Sequence, residues 1–427
     1  MSVISLQPDA LSRVVDSLSG ETPSELRQRA MQQFIKRGFP TTRDENWKYS
    51  DLSNIVDISE RWLAQVDDAP LEALDETQIR EIQASIDATW LVFANGHLHK
   101  ELSSALTEAA ISVTTIDDAT DIRIDEPLAD LNAALMTDGI VIRIGENERI
   151  KKPVGLLFVD RAASRPLTSH ARVVVSLDSG SSARFIEYHV SSGDANHYSN
   201  VVIDVTLGNG AELDYVRIQN RGRNHSQTQR LSVRLEKDSS IRHFGMDLGG
   251  VFTRNDLNID IVAAGVSAEF NGLYIGSDKQ HIDNHTRVDH RVGPATSVQE
   301  YRGIMSGRSR CVWNGKAIVH KGADGSDATQ TNHNLLLSKH SEINAKPQLE
   351  IYADEVKCAH GTTVGQLNDN ALFYLQTRGL DRQEAKRVLT RAFATTVVEK
   401  SPIVELRQLI ASQLEARLDE LDDGDSA

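Results

Sequence analysis

Two periodicities divide the chain. Near its start, Leu11, Val14, Val15 and Leu18 recur at the i, i+3, i+4, i+7 spacing of a helix with one apolar face. Thr22-Pro23-Ser24-Glu25 then reads as a helix start, with a Thr cap, Pro in the first turn and Glu in the reciprocal capping position. This second helix carries Leu26, Ala30 and Phe34 inward and stops at Gly38, ahead of Pro40. An irregular basic and aromatic stretch, RDENWKYSDL, separates it from further helical sequence through Ile86. From about residue 88 the period falls to two. Trp90 to Ala94, followed by Asn95-Gly96, predicts a strand and a tight hairpin turn.

From 171 to 275 strand and turn alternate in four units that can be laid over one another: SLDSGSSARF, TLGNGAELDY, RLEKDSSIRH and IVAAGVSAEF. Their anchors Leu177, Leu207, Leu235 and Val262 lie 30, 28 and 27 residues apart. Each unit is a strand, a Gly/Asn/Asp/Ser turn and another strand, with no helical crossover. Such a repeat fits a β-solenoid, in which each coil covers the apolar face of the next. An antiparallel sandwich is the rival, and the spacing favours the solenoid. Further β segments run from Val298 to Gly361 with more irregular loops. Past Gln366 the helical period returns: Ala371, Leu372 and Leu375 end at Gly379, Asp381 and Glu384 form a capping box, and Ser401-Pro402 opens a helix carrying Val404, Leu406, Leu409, Ile410 and Leu414. The acidic end, DELDDGDSA, is expected to fray. The predicted division is an N-terminal helical domain (1–85), a β core (86–365) and a C-terminal helical domain with an acidic tail (366–427).

Composition narrows the function. The chain has 427 residues, 40% of them hydrophobic and 25% charged, which is ordinary for a globular protein. A net charge of −15 argues against a nucleic-acid groove or an anionic membrane surface. No run of about 18 apolar residues predicts a membrane helix, and the first residues lack the basic and apolar regions of a secretory signal. Cys311 and Cys358 are the only cysteines, the usage of a cytoplasmic protein rather than of a disulfide framework.

The candidate chemistry centres on Cys358 and His360. In a strand, Val356, Cys358 and His360 point to one side and Lys357 and Ala359 to the other. A thiolate beside an imidazole suits iron or zinc. Two ligands do not complete a site. Iron–sulfur clusters commonly take four thiolates, sometimes with imidazole replacing some, so a cluster held here would need ligands from another chain. The competing reading of the same residues is a buried cysteine packed as a small hydrophobe beside a satisfied histidine. Cys311, next to Val312 and Trp313, reads as core. His281, His285 and His290, with Asp283 and Asp289, could hold a single metal, but their spacing matches no zinc pattern and a solvated polar row explains them as well. There is no G-x-x-x-x-G-K-[ST], no G-x-S-x-G and no H-E-x-x-H, and the Gly/Asp-rich GADGSDATQTN has no helix behind it, so it reads as a loop.

NHNLLLSKHSEINAKPQLEIYADEVKCAHGTTVGQL, followed by ALFYLQTRGL, resembles the C-terminal core of the SufB/SufD family of iron–sulfur cluster assembly proteins. GFPTTRDENWKYSDL resembles an element typical of the SufD branch, and the chain length and small cysteine count side with that branch rather than with SufB. The resemblance implies a right-handed β-helix core between N- and C-terminal helical domains. It implies a non-catalytic scaffold that pairs with SufB through the β core and with the ATPase SufC through the C-terminal helices, from Leu367 to about Ala411. Those helices could equally be a cap on the open end of the solenoid. Cys358 and His360 match the family's Cys-x-His position near the SufB–SufD interface, where a transient iron–sulfur cluster would take further ligands from SufB. Taken alone, the subunit could form a homodimer. A different class, a metal-dependent or acid–base β-helix enzyme acting on carbohydrate, would need carboxylates clustered on a groove.

Overall fold

The computed structural model describes residues 6–18, 24–65, 74–106, 108–117, 120 and 122–424. Helices α1 (Pro8–Ser17), α2 (Ser24–Arg37), α3 (Ser53–Leu63) and α4 (Glu76–Ser85) precede the first strand, with a 3-10 turn at Glu45–Trp47. A hairpin of β1 (Thr89–Ala94) and β2 (His97–Leu98) follows, then β3 (Ile111–Thr115), α5 (Pro127–Leu135) and β4 (Gly139–Ile144). Strands then succeed one another without an intervening helix: β5 (Val154–Arg161), β6 (Leu167–Leu177), β7 (Ser182–Ser192), β8 (His197–Leu207), β9 (Glu212–Asn220), β10 (His225–Leu235), β11 (Ser240–Asp247) and β12 (Phe252–Ile261). They continue as β13 (Ser267–Gly276), β14 (His281–His290), β15 (Thr296–Met305), β16 (Arg310–Val319), β17 (Asp327–Leu336), β18 (Glu342–Ile351) and β19 (Lys357–Gly365). Helices α6 (Asp369–Thr377), α7 (Arg382–Val398) and α8 (Arg407–Gly424) close the chain.

Successive strands alternate between two parallel sheets. The odd strands from β5 to β19 join β1 in one sheet, the even strands from β4 to β18 form the other, and together they wind a solenoid of about 8 turns. The rival sandwich is excluded by this pairing, since every strand from β5 onward meets its neighbours in parallel. At the first end, β2 and β3 add antiparallel strands that finish the two sheets. The β1–β2 turn is Asn95-Gly96, both at positive φ (50° and 86°), as a two-residue hairpin requires. The register also corrects one anchor. Leu177 pairs with Leu207 and Leu207 with Leu235, but Leu235 pairs with Ile261, so Val262 stands one position outside the stack. The late coils, expected to be irregular, keep full ten-residue strands through β18.

Alternation decides what fills the lumen. Val173, Val175, Leu207, Val233, Leu235, Ile259 and Ile261 from the even sheet meet Phe158, Phe185, Tyr215 and Phe270 from the odd sheet in one core. Burying each such side chain contributes about 1.5–3 kcal/mol. The intervening outward positions are also buried, which is why many strands read as continuous apolar runs rather than strict alternation. Leu157, Ile186, Val216, Phe244, Leu273 and Ile304 on the outside of the odd sheet pack against Ala394, Val397, Ile410, Leu414 and Leu418 of the C-terminal helices and Ile403 and Leu406 of the connection between α7 and α8. Tyr198 and Phe252, outside the even sheet, join the core of the N-terminal helices with Leu11, Phe34, Trp47 and Ile55.

Two expectations change here. The C-terminal helices lie along the side of the solenoid, with α7 against β13 and β15, instead of capping its end. The acidic end remains helical to Gly424 because Leu418 and Leu421 are anchored in that same core. Val404 is exposed, while Leu406, Ile410 and Leu414 are buried as expected. The Asp381–Glu384 capping box forms. The helix start proposed at Thr22-Pro23 lies outside the described residues.

Candidate functional site

β18 and β19 are the last strands of their sheets, each bonded to one neighbour only. This end of the solenoid therefore presents two strand edges whose backbone donors and acceptors are free to pair with another chain. β19 is exposed along nearly its whole length, and β18 is half-buried between its exposed ends, Glu342 and Ile351.

Cys358 and His360 sit on β19, opposite Ala328 and Gln330 of β17. Ala328 and Gln330 are buried lumen residues, so the thiol and the imidazole line the same wall at the mouth, as the alternation predicts. Val356 precedes the strand, which begins at Lys357 after a turn through Glu355 at φ 53°. Cys358 is half-buried and His360 exposed. Burial raises the Cys358 thiol above its ordinary range. The reading of Cys358 as core therefore fits poorly, whereas Cys311, fully buried beside Trp313 in the lumen, is core as expected. Among the described residues no three or more His, Cys, Asp or Glu side chains converge as a metal site. Among the described residues the two candidate ligands stand without a third.

The histidine cluster does not converge either. Ile282 and Val288 belong to the lumen core, which places His290 inside and His281, Asp283 and His285 outside. His290 hydrogen-bonds the Ser297 hydroxyl at 2.8 Å. Outside, Ser50 Oγ meets His281 Nε2 at 2.8 Å and donates to Asp283 Oδ2 at 2.5 Å. Arg254 donates to Asp283 Oδ2 (2.6 Å) and to the Asn46 carbonyl (2.9 Å), with its guanidinium 4.3 Å from the Trp47 ring centre. Burial opposes ionisation of Asp283, but Arg254 and His285 override it and hold the carboxyl well below its usual range. Asp283 and Arg254 are buried and His281 half-buried rather than solvated, and they anchor ENWKYS on the solenoid. Glu45 extends the anchorage to β18 through a 2.8 Å contact with Lys346.

A second group escaped the sequence reading. Asp160, Glu187, Arg217, Arg221 and Asp247 are buried inside the coils. Arg221 pairs with Asp160, Arg217 with Asp247 at 2.8 Å, and Glu187 bonds His189 and Tyr215, each at 2.5 Å. The lumen positions alternate correctly, but polar residues at apolar positions give no periodic signal. On the open groove beside Trp47, Asp256, Asp289 and Asp260 are likewise taken by Arg254, Arg287 and Arg291. These three groove carboxylates are thus held by arginines.

A family model described as SUF system FeS cluster assembly, SufBD core domain, matches residues 158–393, more than half of the chain. The chain belongs to the SufB/SufD family. Its relatives include the iron–sulfur cluster assembly protein SufD of Escherichia coli, 29% identical over 93% of this chain and 94% of that protein. An iron–sulfur cluster assembly SufBD family protein of Synechocystis is 27% identical over 86% of this chain and 85% of its own length. SufD of Bacillus subtilis is 23% identical over 92% and 93%. The family model covers the coils from β5 through β19 and most of α7, and so contains Cys358, His360 and the exposed β18–β19 end. Its members' names place the chain in iron–sulfur cluster assembly. No helix among the described residues is long and apolar enough to cross a membrane.

Proposed function

We propose that this chain is a non-catalytic scaffold subunit that pairs with SufB and SufC, and that it contributes Cys358 and His360 to a transient iron–sulfur cluster shared with SufB. The observation that carries the reading is the placement of both side chains on the lumen wall of an edge strand, β19, at an end of the solenoid that no further strand among the described residues completes. Half a coordination sphere at an unpaired edge has its natural complement in a second solenoid bringing the missing ligands. The cluster is cargo, passed on to apo-proteins, and the isolated chain holds none stably. When alone, the same edges suit a homodimer.

The helical region after Gly365 is the docking element for SufC, and the working division is 1–85, 86–365 and 366–427. ATP hydrolysis belongs to SufC, in keeping with the missing phosphate-binding loop. The cysteine usage supports a cytoplasmic setting, and the acidic surface supports protein partners over nucleic acid or membrane.

The test is anaerobic reconstitution of the complex of this chain with SufB and SufC. His360→Ala and Cys358→Ser should lower the iron and sulfide recovered and change the cluster's visible absorption, while the complex elutes intact. Unaltered cluster formation in both variants would show that neither side chain is a ligand. A stable stoichiometric cluster on the monomeric subunit would equally end the shared-ligand reading.

A further inference from the structure

The two strand edges at the open end differ in what they offer. Along an edge strand, alternate residues turn both their N–H and their C=O away from the sheet. Glu342 N donates to the Ser309 carbonyl and Tyr352 N to that of Val319. The even-numbered residues of β18 therefore bond back to β16, and the odd-numbered ones, Pro347 among them, face out. Pro347 has no N–H to give, and it interrupts that edge near its middle. On β19, Lys357 N donates to the Ser326 carbonyl, which turns the backbone of Cys358, His360, Thr362 and Val364 outward. None of these is a proline, so β19 keeps a complete edge.

The same alternation carries the Cys358 and His360 side chains to the lumen wall, so each candidate ligand stands beside a free backbone edge. Along a strand, residues two apart are separated by about 6.6–6.8 Å. An antiparallel strand laid on this edge brings its own residues to about 5.5 Å, Cα to Cα, at each hydrogen-bonded pair, with both side chains on one face. A second copy of β19, run antiparallel about Ala359, sets Cys358 opposite the second copy's His360 and His360 opposite the second copy's Cys358. A Cys and a His two residues apart are thus self-complementary. Two half-sites, each without a third ligand among the described residues, become two thiolates and two imidazoles on the lumen face.

We propose that, without SufB, two copies of this chain pair through β19 in this register and hold one divalent ion of the Zn²⁺ type on Cys358 and His360 of both. Two thiolates and two imidazoles are a donor set that closes tetrahedrally around zinc. The inference rests on the reading of Cys358 and His360 as shared ligands, and it names a second copy as the occupant of the edge. Pairing with the second copy and pairing with SufB use one strand and exclude each other.

Cobalt(II) is the probe, because thiolate ligation in a tetrahedral site gives it a charge-transfer band and strong ligand-field absorption. Added to the metal-free full-length chain, it should saturate at one ion per two chains, be displaced by Zn²⁺ and convert monomer to dimer in light scattering. Cys358→Ser and His360→Ala should each abolish saturable binding. The register has its own test. About Ala359 the two strands form a non-hydrogen-bonded pair with Cα atoms about 4.5 Å apart, within disulfide reach. On a Cys358→Ser background, Ala359→Cys should therefore be trapped as a covalent dimer by mild oxidation, and Gly361→Cys should not. One ion per monomeric chain, no saturable binding, or trapping through Gly361→Cys in place of Ala359→Cys overturns the proposal. All of this is read on the chain alone, so a metal-free monomer whose Cys358 and His360 variants still lose cluster in the complex sinks this inference and leaves the shared-cluster reading standing.

Discussion

Lys346 Nζ lies 2.8 Å from Glu45 Oε1, joining the two most distinctive stretches of the sequence, ENWKY near the start and KPQLEIYADEVKCAH near the end. Lys346 is on β18, one of the two strands at the open edge, and Glu45 belongs to the turn that Arg254 and Ser50 fasten to the solenoid. The N-terminal segment thus reaches a strand at the open edge of the solenoid.

The Lys346 contact lowers the Glu45 carboxyl below its ordinary value. The linkage sign follows: a depressed carboxyl contributes stability above its unfolded pKa, and that contribution is lost as pH falls through the folded value. Protection from hydrogen exchange over residues 45–50, taken relative to the intrinsic rate at each pH, should therefore fall below about pH 4. Lys346→Gln should reproduce the loss of protection at neutral pH without changing global stability, because Glu45 is exposed. Equal exchange in the variant and the parent at neutral pH would refute the link.

Arg254 is the stronger joint. It is about 1% exposed and holds Asp283, Asp256, the Asn46 carbonyl and the face of Trp47 together. Arg254→Met would leave Asp283 charged and without its cation, at a cost of about 3–5 kcal/mol. Urea denaturation followed by Trp fluorescence measures the loss. A change within about 0.5 kcal/mol, the size of an ordinary surface substitution, would show that the pair is not structural.

The lumen predicts an acid dependence. Burial first, with neighbouring arginine charge adding to it, holds His197 and His243 down at about 3, against an unfolded value of 6.5. Between these values the unfolded chain binds the extra protons, so stability falls as pH drops from 6.5 towards 3, by up to about 1.4 kcal/mol per pH unit for each histidine. The urea midpoint should hold above pH 7 and decline steadily below 6.5. His243→Gln should flatten that decline, and an unchanged slope would mean that the imidazole titrates normally.

Legibility followed periodicity. Helices α1 and α2, the Asn95-Gly96 hairpin, the solenoid repeat and the Asp381–Glu384 box are local patterns, and each lies where its residues place it. Cys358 and His360 share a face because alternate strand positions do so, which needs no tertiary knowledge. What stayed hidden depends on contacts across long separations. Val262 and Ile261 both fit an apolar anchor, and only the pairing of Ile261 with Leu235 distinguishes them. His281 and His290 looked like partners because they are close in sequence, yet the strand period sends them to opposite faces. The buried Arg221–Asp160 pair joins β5 to the turn after β9, a relationship with no local signature. The C-terminal helices carry apolar faces, but the sequence does not say whether those faces meet the end of the solenoid or its side.

The two cysteines should separate packing from chemistry. Cys311 is fully buried in the lumen, and burial raises its thiol far above the ordinary range. Cys311→Ser should cost about 1–3 kcal/mol by placing a more polar hydroxyl in the apolar lumen, and should leave cluster formation in the complex unchanged. Cys358→Ser, at a half-buried edge position, should leave the urea midpoint within about 0.5 kcal/mol of the parent while lowering the cluster yield. The reverse pattern would assign the chemistry to the wrong thiol.

The proposed docking of SufC is best probed on α6, where Phe373 is 68% exposed and Tyr374 56% exposed within ALFYLQTRGL. Two adjacent aromatic rings in water make no contribution to the core, and such rings are frequent anchors of protein interfaces. Removing everything after Gly365 would be a poor test, because Ala394, Val397, Ile410 and Leu414 cover Leu157, Ile186 and Phe244, and a truncated chain would expose that face. Phe373→Glu leaves the cover in place. It should keep the parent's melting temperature and still bind SufB, while retention of SufC on the immobilised subunit falls by about 2 kcal/mol or more, roughly thirtyfold in affinity. Full retention of SufC by Phe373→Glu together with Tyr374→Glu would move the docking surface away from α6.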